Sequence, residues 1–90
     1  MSYETSTLQR LSYEGNIVAS YMFIWTPDSK NIGIIHLGSC GDITGHKTLP
    51  RDTAQSLYNS LRKKGLSRVP TSHFLPCYTQ TIDWLLERIA

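Results

Sequence analysis

Three segments in the first half of the chain have the composition and the polar–apolar pattern of β-strands. Residues 8–13 place Leu11 and Tyr13 on one face, and residues 32–37 are a short run rich in apolar side chains. Residues 17–25, interrupted only by Ser20, form the longest apolar run. That longest run is apolar at both odd and even positions, which is typical of a central strand covered on both faces. The segments between them, 14–16 and 26–31, are short and contain turn-forming residues, so the pattern predicts an antiparallel meander.

Two later segments repeat apolar residues with the period of an α-helix. The first begins near Pro50 and ends before Gly65, because proline suits the first turn of a helix and glycine suits the position after its end. Its apolar stripe consists of Ala54, Leu57, Tyr58 and Leu61. The second runs from about Gln80, with Thr79 as its predicted N-terminal cap. Its stripe consists of Ile82, Leu85, Leu86 and Ile89.

The order of these elements predicts an α+β fold. We expect one small domain over residues 1–90, in which an antiparallel sheet of three to four strands is followed by two helices, in the order β-β-β-α-α. Residues 38–45 form a glycine-spaced loop with room for a short edge strand. The first helix can cover one face of the sheet. The second face needs either the C-terminal helix or a second copy of the chain in a homodimer, and the sequence leaves both alternatives open.

Length and composition narrow the class of protein. With 90 residues, 40% of them apolar, the chain is long enough for one modest hydrophobic core. No stretch approaches the roughly 18 apolar residues of a membrane span, and the first residues lack the basic and apolar regions of a signal peptide. We therefore expect a soluble, cytoplasmic protein that does not associate with membranes.

The net charge of +2 conceals a basic segment in the middle of the chain. Residues 47–68 contain Lys47, Arg51, Arg62, Lys63, Lys64 and Arg68 against Asp52 alone, a balance of +5. Such an excess can attract an acidic protein surface or phosphates, although cations at a helix end also have a simpler explanation in the helix dipole. The candidate partner-binding residues from this segment are Arg51, Arg62, Lys63, Lys64 and Arg68.

Trp84 lies off the apolar stripe of the second helix. Burial at an edge of the core is the expected place for its large ring, but an exposed tryptophan is a good anchor for a partner protein. We therefore include Trp84 among the candidate partner-binding residues.

Two His-x3-Cys spacings are the most specific arrangement of reactive side chains. They comprise His36, Cys40, His73 and Cys77. Two imidazoles and two thiolates can hold zinc, and the two thiols could instead form a redox-sensitive disulfide. Because neither spacing matches an established zinc motif, we expect no metal and no other cofactor, and keep a metal or thiol-redox switch as an alternative.

No pattern of nucleophile, base and orienting group is present, so we do not expect an enzyme.

The stretch from Leu37 to Val69 resembles the WGR domain, a small β-rich module with a helix. The matching positions are Leu37-Gly38-Ser39, Gly41, Gly45, Lys47-Thr48-Leu49, Ala54 and Lys63-Lys64-Gly65. Leu37 stands where that family has tryptophan, and Ser39 where it has arginine. The resemblance implies contacts with nucleic acid or a partner.

The function that the sequence predicts is a non-enzymatic binding or regulatory module that acts through a protein partner. This interpretation depends on the basic segment and on the absence of a catalytic pattern. The alternative is a nucleic-acid-binding module that uses the same basic segment together with His46 and Lys47.

Overall fold

The computed structural model describes residues 2–71 and 78–90. In chain order, its elements are β1 (Glu4–Leu11), β2 (Ile17–Trp25), β3 (Asn31–Leu37), β4 (Ile43–Pro50), α1 (Arg51–Lys63), β5 (Ser67–Val69) and α2 (Thr79–Arg88). The predicted α+β class and antiparallel pairing are confirmed. The predicted number and order of the strands are wrong, because the described residues form five strands in the order β-β-β-β-α-β-α.

The strands lie side by side in the order β4-β3-β2-β1-β5, and every neighbouring pair is antiparallel. The run that is apolar on both faces, β2, occupies the centre of the sheet as its pattern indicates. Strands β4 and β5 form the two opposite edges, and α1 connects them by crossing the whole sheet.

The structure corrects the predicted bounds of the first strand and adds two strands at the edges of the sheet. The first strand runs over Glu4–Leu11 and not over 8–13, because the turn at Ser12–Asn16 begins earlier and polar residues from Glu4 onward pair with β2. The glycine-spaced loop ends at Asp42, and β4 continues from Ile43 to Pro50. An edge strand needs no apolar pattern, which explains why β4 escapes detection from periodicity. The three-residue β5 was not predicted at all.

One face of the sheet packs against α1. The buried residues of the core between this face and α1 are Leu8, Phe23, Ile32, Ile34, Ala54, Leu61 and Leu66. The predicted stripe of α1 faces this core, with Ala54 and Leu61 buried and Leu57 and Tyr58 partly buried against it. The helix ends at Lys63, and Gly65, two residues later, has a φ of 98°, in the left-handed region that glycine adopts readily.

The opposite face packs against α2, which resolves the choice that the sequence left open. The buried residues on this side are Met22, Ile24, Ile35, Leu37, Tyr78, Ile82 and Leu85. Gly33 lies directly beneath α2, and a Cβ atom there would stand 3.2 Å from Leu85 Cβ. The helix begins at Thr79, and Tyr78 precedes it, so Thr79 is a residue of the first turn and not the predicted cap.

Both helices are anchored at the same corner of the sheet. The backbone N–H groups of Lys30 and Asn31 donate to the carbonyl of Ile89 at the end of α2, and the N–H of Arg51 donates to the carbonyl of Lys30. The β2–β3 turn therefore holds the start of α1 and the end of α2 together. Within residues 2–71 and 78–90, neither helix has the length and apolar character needed to cross a membrane.

Candidate functional site

Five cationic side chains converge where α1 ends and β5 begins. We call this surface the basic edge, and it comprises Arg10, Arg62, Lys63, Lys64 and Arg68. The left-handed Gly65 and the buried Leu66 turn the chain back from α1 into β5, which brings Arg68 opposite Leu8 of β1. Arg10 lies two residues further along β1, and its Cδ would lie 4.0 Å from a Cβ at Gly65.

All five side chains of the basic edge are exposed to solvent. None of them makes a side-chain hydrogen bond or an ion pair to another described residue. Among all the described residues, the ion pair present joins Arg88 to Glu87 at 3.8 Å. The positive charge of the basic edge is therefore not neutralised by an ion pair to another described residue. Such a concentration of one sign raises the local potential and attracts anionic surfaces.

Four of the six predicted partner-binding residues thus lie together, and Arg10 is an addition that sequence analysis missed. Arg10 lies outside the basic segment of residues 47–68, so the distribution of charge along the chain does not group it with that segment. Only the pairing of β1 with β5, which joins residues about 60 positions apart, brings it beside the basic segment. No local signal in the sequence could have indicated this contact.

Arg51 begins α1 and lies about 18 Å from Lys63 along the axis of this 13-residue helix. Its Nε donates to the carbonyl of Ser29 at 2.6 Å, and its Nη2 donates to the carbonyl of Thr26 at 2.6 Å and to Ser29 Oγ at 3.1 Å. These bonds lock the β2–β3 turn against the start of α1. The structure therefore gives Arg51 an internal structural role.

Trp84 lies on the other face of the sheet, close to the β4 edge. The residue is exposed, with a relative exposure of 40%, so the expected burial of Trp84 is wrong. The indole ring packs between His46, at 4.8 Å between ring centroids, and the guanidinium of Arg88, 3.5 Å above the ring. Trp84 lies on the α2 side of the sheet near β4, whereas the basic edge lies at the opposite edge of the sheet, near β5.

His46 and Lys47 lie on β4, which is the edge opposite to β5. Four strand spacings, about 19 Å, separate these edges. As neighbours on a strand, the two side chains also point to opposite faces: His46 meets Trp84, whereas Lys47 lies on the α1 side. The residues that the nucleic-acid hypothesis adds to the basic segment are therefore not continuous with the basic edge.

A groove of about 490 Å³ lies between α1 and the sheet, on the β1 side of the helix. Its apolar lining includes Phe23, Trp25, Ile32, Ala54 and Tyr58. The Phe23 and Tyr58 rings meet edge to face at 5.3 Å, and the Tyr58 hydroxyl lies 3.1 Å from Ser6 Oγ. Sequence analysis missed this groove, although the aromatic residues along one face of β2 were a signal of surface that one short helix cannot cover fully.

Arg68 belongs to both the groove and the basic edge. Together with Arg51 it supplies positive charge to the groove, and Asp52 supplies the carboxylate of the lining. The groove is therefore apolar on its floor and net positive on its rim.

The residues proposed for a metal or redox switch are only partly described. His73 and Cys77 lie outside the described residues, so the proposed four-residue site is not tested. Cys40 is exposed in the turn after β3, where it has a free thiol. Within residues 2–71 and 78–90, no three His, Cys, Asp or Glu side chains lie close enough together to hold a metal ion.

His36 lies on β3, partly buried with its ring 4.8 Å from the Tyr21 ring. Burial and, to a smaller extent, the positive charge of Lys47 lower the pKa of His36 below its usual value of 6.5. Because the folded protein binds this proton less readily than the unfolded chain does, His36 reduces stability in acid. With respect to this group, the free energy of unfolding has its full value above about pH 6.5 and decreases as the pH falls towards the lower folded pKa of His36.

We predict that the free energy of unfolding falls less between about pH 7.5 and about pH 5.5 in His36→Gln than in the wild-type protein. Urea unfolding at the two pH values measures this difference. In Lys47→Gln the pKa of His36, followed by NMR, is expected to move up towards its usual value. Equal pH dependence in wild type and His36→Gln would contradict the assignment.

The described geometry therefore combines one basic edge with one aromatic groove, and Arg68 joins the two. Neither feature contains a nucleophile paired with a base among the described residues. Comparison of the chain with protein-family models, with curated proteins and with solved structures gives no match.

Proposed function

We propose that this protein is a non-enzymatic binding module whose basic edge contacts an acidic surface of a protein partner. The observation that carries the proposal is the convergence of Arg10, Arg62, Lys63, Lys64 and Arg68 without an ion pair to another described residue. Placing acidic groups of a partner against these side chains would give complementary charges and a faster encounter.

The arrangement of the remaining cations favours a protein partner over a nucleic acid. Lys30, Lys47 and Arg88 lie on other elements, away from the basic edge. A nucleic-acid interface usually extends a basic stripe along several phosphates and carries a strongly basic net charge, whereas this chain has a net charge of only +2. The basic edge is compact, which suits a limited acidic patch.

The test is binding of a fluorescein-labelled oligoglutamate, followed by fluorescence anisotropy at low salt. We expect the wild-type protein to bind the probe, with an affinity that falls as salt screens the charges. In Arg62→Glu/Lys63→Glu/Lys64→Glu, the affinity should fall tenfold or more, since about 0.2–1 kcal/mol is lost for each exposed ion pair and repulsion is added.

A matched control carries Lys30→Glu, Lys47→Glu and Arg88→Glu, which gives the same net charge but leaves the basic edge intact. This control should retain most of the wild-type affinity. Equal losses in the two triple variants, or no binding of the probe by the wild-type protein, would contradict the proposal. Tighter binding of a single-stranded DNA oligomer, lost in the first triple variant only, would assign the basic edge to nucleic acid instead.

A further inference from the structure

The groove beside α1 exposes aromatic surface that the helix leaves uncovered. Ala54 is the small residue at which α1 approaches the sheet, and it is buried with a relative exposure of 2%. To one side of it, Trp25 at the end of β2 is only partly buried, and the Tyr58 ring is held in place by Phe23 and Ser6. The walls are therefore fixed by existing contacts, and little order is lost when a ligand enters.

The rim of the groove favours an anion. Arg51 is held by its Nε and Nη2 bonds to the β2–β3 turn, while its Nη1 makes no hydrogen bond to a described residue. Arg68 has no ion pair among the described residues. The lining of the groove contains one carboxylate, that of Asp52, and these two guanidinium groups. A fixed guanidinium above an apolar floor suits a carboxylate attached to an apolar group.

We infer that the groove binds an aromatic side chain from an acidic segment of the partner, with neighbouring carboxylates placed on Arg68 and Arg51. This inference deepens the proposed function and rests on it. Because Arg68 belongs to both surfaces, a partner segment whose acidic residues contact the basic edge leads directly into the groove. Its aromatic ring would then pack against Trp25 and Tyr58, as aromatic rings do at offset or edge-to-face geometry.

The groove has the size for such a side chain and part of its backbone. Its volume of about 490 Å³ lies within the range of roughly 300–1,000 Å³ that is usual for ligand pockets. A purely acidic segment would leave the aromatic floor uncovered, and an uncharged one would offer no negatively charged acceptor to Arg68 or to the Nη1 of Arg51. The combination of both properties identifies an acidic segment with an aromatic residue as the occupant.

The test uses the intrinsic fluorescence of Trp25. The chain has two tryptophans, so Trp84→Phe leaves Trp25 as the single reporter, at the groove and away from the Trp84 face. The probes are an oligoglutamate peptide with one central phenylalanine and a matched peptide with alanine at that position. We expect the phenylalanine peptide to bind about tenfold more tightly, because burial of an aromatic side chain is worth about 1.5–3 kcal/mol less the cost of ordering it. The phenylalanine peptide alone should shift the Trp25 emission.

Two substitutions on the exposed side of α1 distinguish peptide binding in the groove from binding elsewhere on the helix surface. Gln55 lines the groove, whereas Asn59, to which it donates a hydrogen bond, does not. Gln55→Tyr should fill the groove and abolish the preference for phenylalanine, and Asn59→Tyr should leave that preference intact. Arg68→Gln should weaken binding of the phenylalanine peptide several-fold.

The outcomes distinguish this inference from the proposed function. Equal binding of the two peptides with no change in Trp25 emission, but with loss in Arg62→Glu/Lys63→Glu/Lys64→Glu, would overturn the groove inference and leave the basic edge supported. Binding that depends on phenylalanine and Arg68 but not on Arg62, Lys63 and Lys64 would support the groove and overturn the basic edge. If N-acetylphenylalanine bound as tightly as the peptide, the occupant would be a small aromatic acid, and the assignment of the groove to a segment of a partner protein would be wrong.

Discussion

Replacing Leu85 with alanine is expected to lower the free energy of unfolding by about 3–5 kcal/mol. Leu85 has no exposed surface, and its side chain packs directly over Gly33, with Cβ and Cδ1 each 3.2 Å from where a Gly33 Cβ would stand. No side chain at Gly33 can extend to fill the space that alanine leaves. The loss is a large share of the roughly 5–15 kcal/mol available to a domain of this size, and urea unfolding measures it directly.

Leu86→Ala is the matched control, since it makes the same chemical change one residue along α2. Leu86 is only partly buried at the border of the same core, so we expect a loss of about 1–2 kcal/mol from its smaller buried area. If both variants lost the same small amount, α2 would not be the element that covers the second face. The interpretation of the sheet as a structure covered on both faces by its own helices would then be wrong.

The second large effect is expected for Arg51→Met, which should lower the free energy of unfolding by about 2–4 kcal/mol. Methionine retains apolar length but removes the charge-assisted bonds to the carbonyls of Thr26 and Ser29. A hydrogen bond to a charged group is worth about 1.5–3 kcal/mol, and the carbonyl groups left behind can regain water in part. Amide hydrogen exchange should also become faster in the β2–β3 turn.

Arg62→Met is the control for Arg51→Met, because it removes the same charge from the same helix at an exposed position. Its expected cost is about 0.3–1 kcal/mol, from the loss of a cation near the C-terminal end of the helix dipole. Equal effects of the two substitutions would contradict the internal role of Arg51. In that case the hydrogen bonds of Arg51 would not fix the β2–β3 turn against α1.

The elements with strong local periodicity were predictable from the sequence. Strand β2 was predicted with its observed bounds, and both helices begin and end within about two residues of the predicted positions. Their patterns are local: alternation places side chains on two faces of a strand, and the 3.6-residue repeat places Ala54 and Leu61 on one side of α1. The apolar character of β2 on both faces was sufficient to predict its central position.

The edges of the sheet were not predictable in the same way. Strand β4 is half polar because its outer side is open to solvent, so it lacks an apolar pattern that would distinguish it from a loop. Strand β5 has three residues, and it is held in place by pairing with β1 across a long stretch of sequence. A segment this short has no periodicity of its own, and only the crossing of α1 brings it to the edge.

Local patterns in the sequence were sufficient to predict the central strands, the two helices, the faces that they bury and the basic segment, because each depends on residues near one another in the chain. Which of the cations lie together depends instead on contacts between distant segments. Pairing of β1 with β5 brings Arg10 beside Arg68, and hydrogen bonds hold Arg51 against the β2–β3 turn. The covering of the second face by α2 and the open groove beside Tyr58 are likewise properties of the folded chain. These features depend on the packing of distant segments, and the cost of bringing such segments together is repaid only by contacts that form in the complete fold.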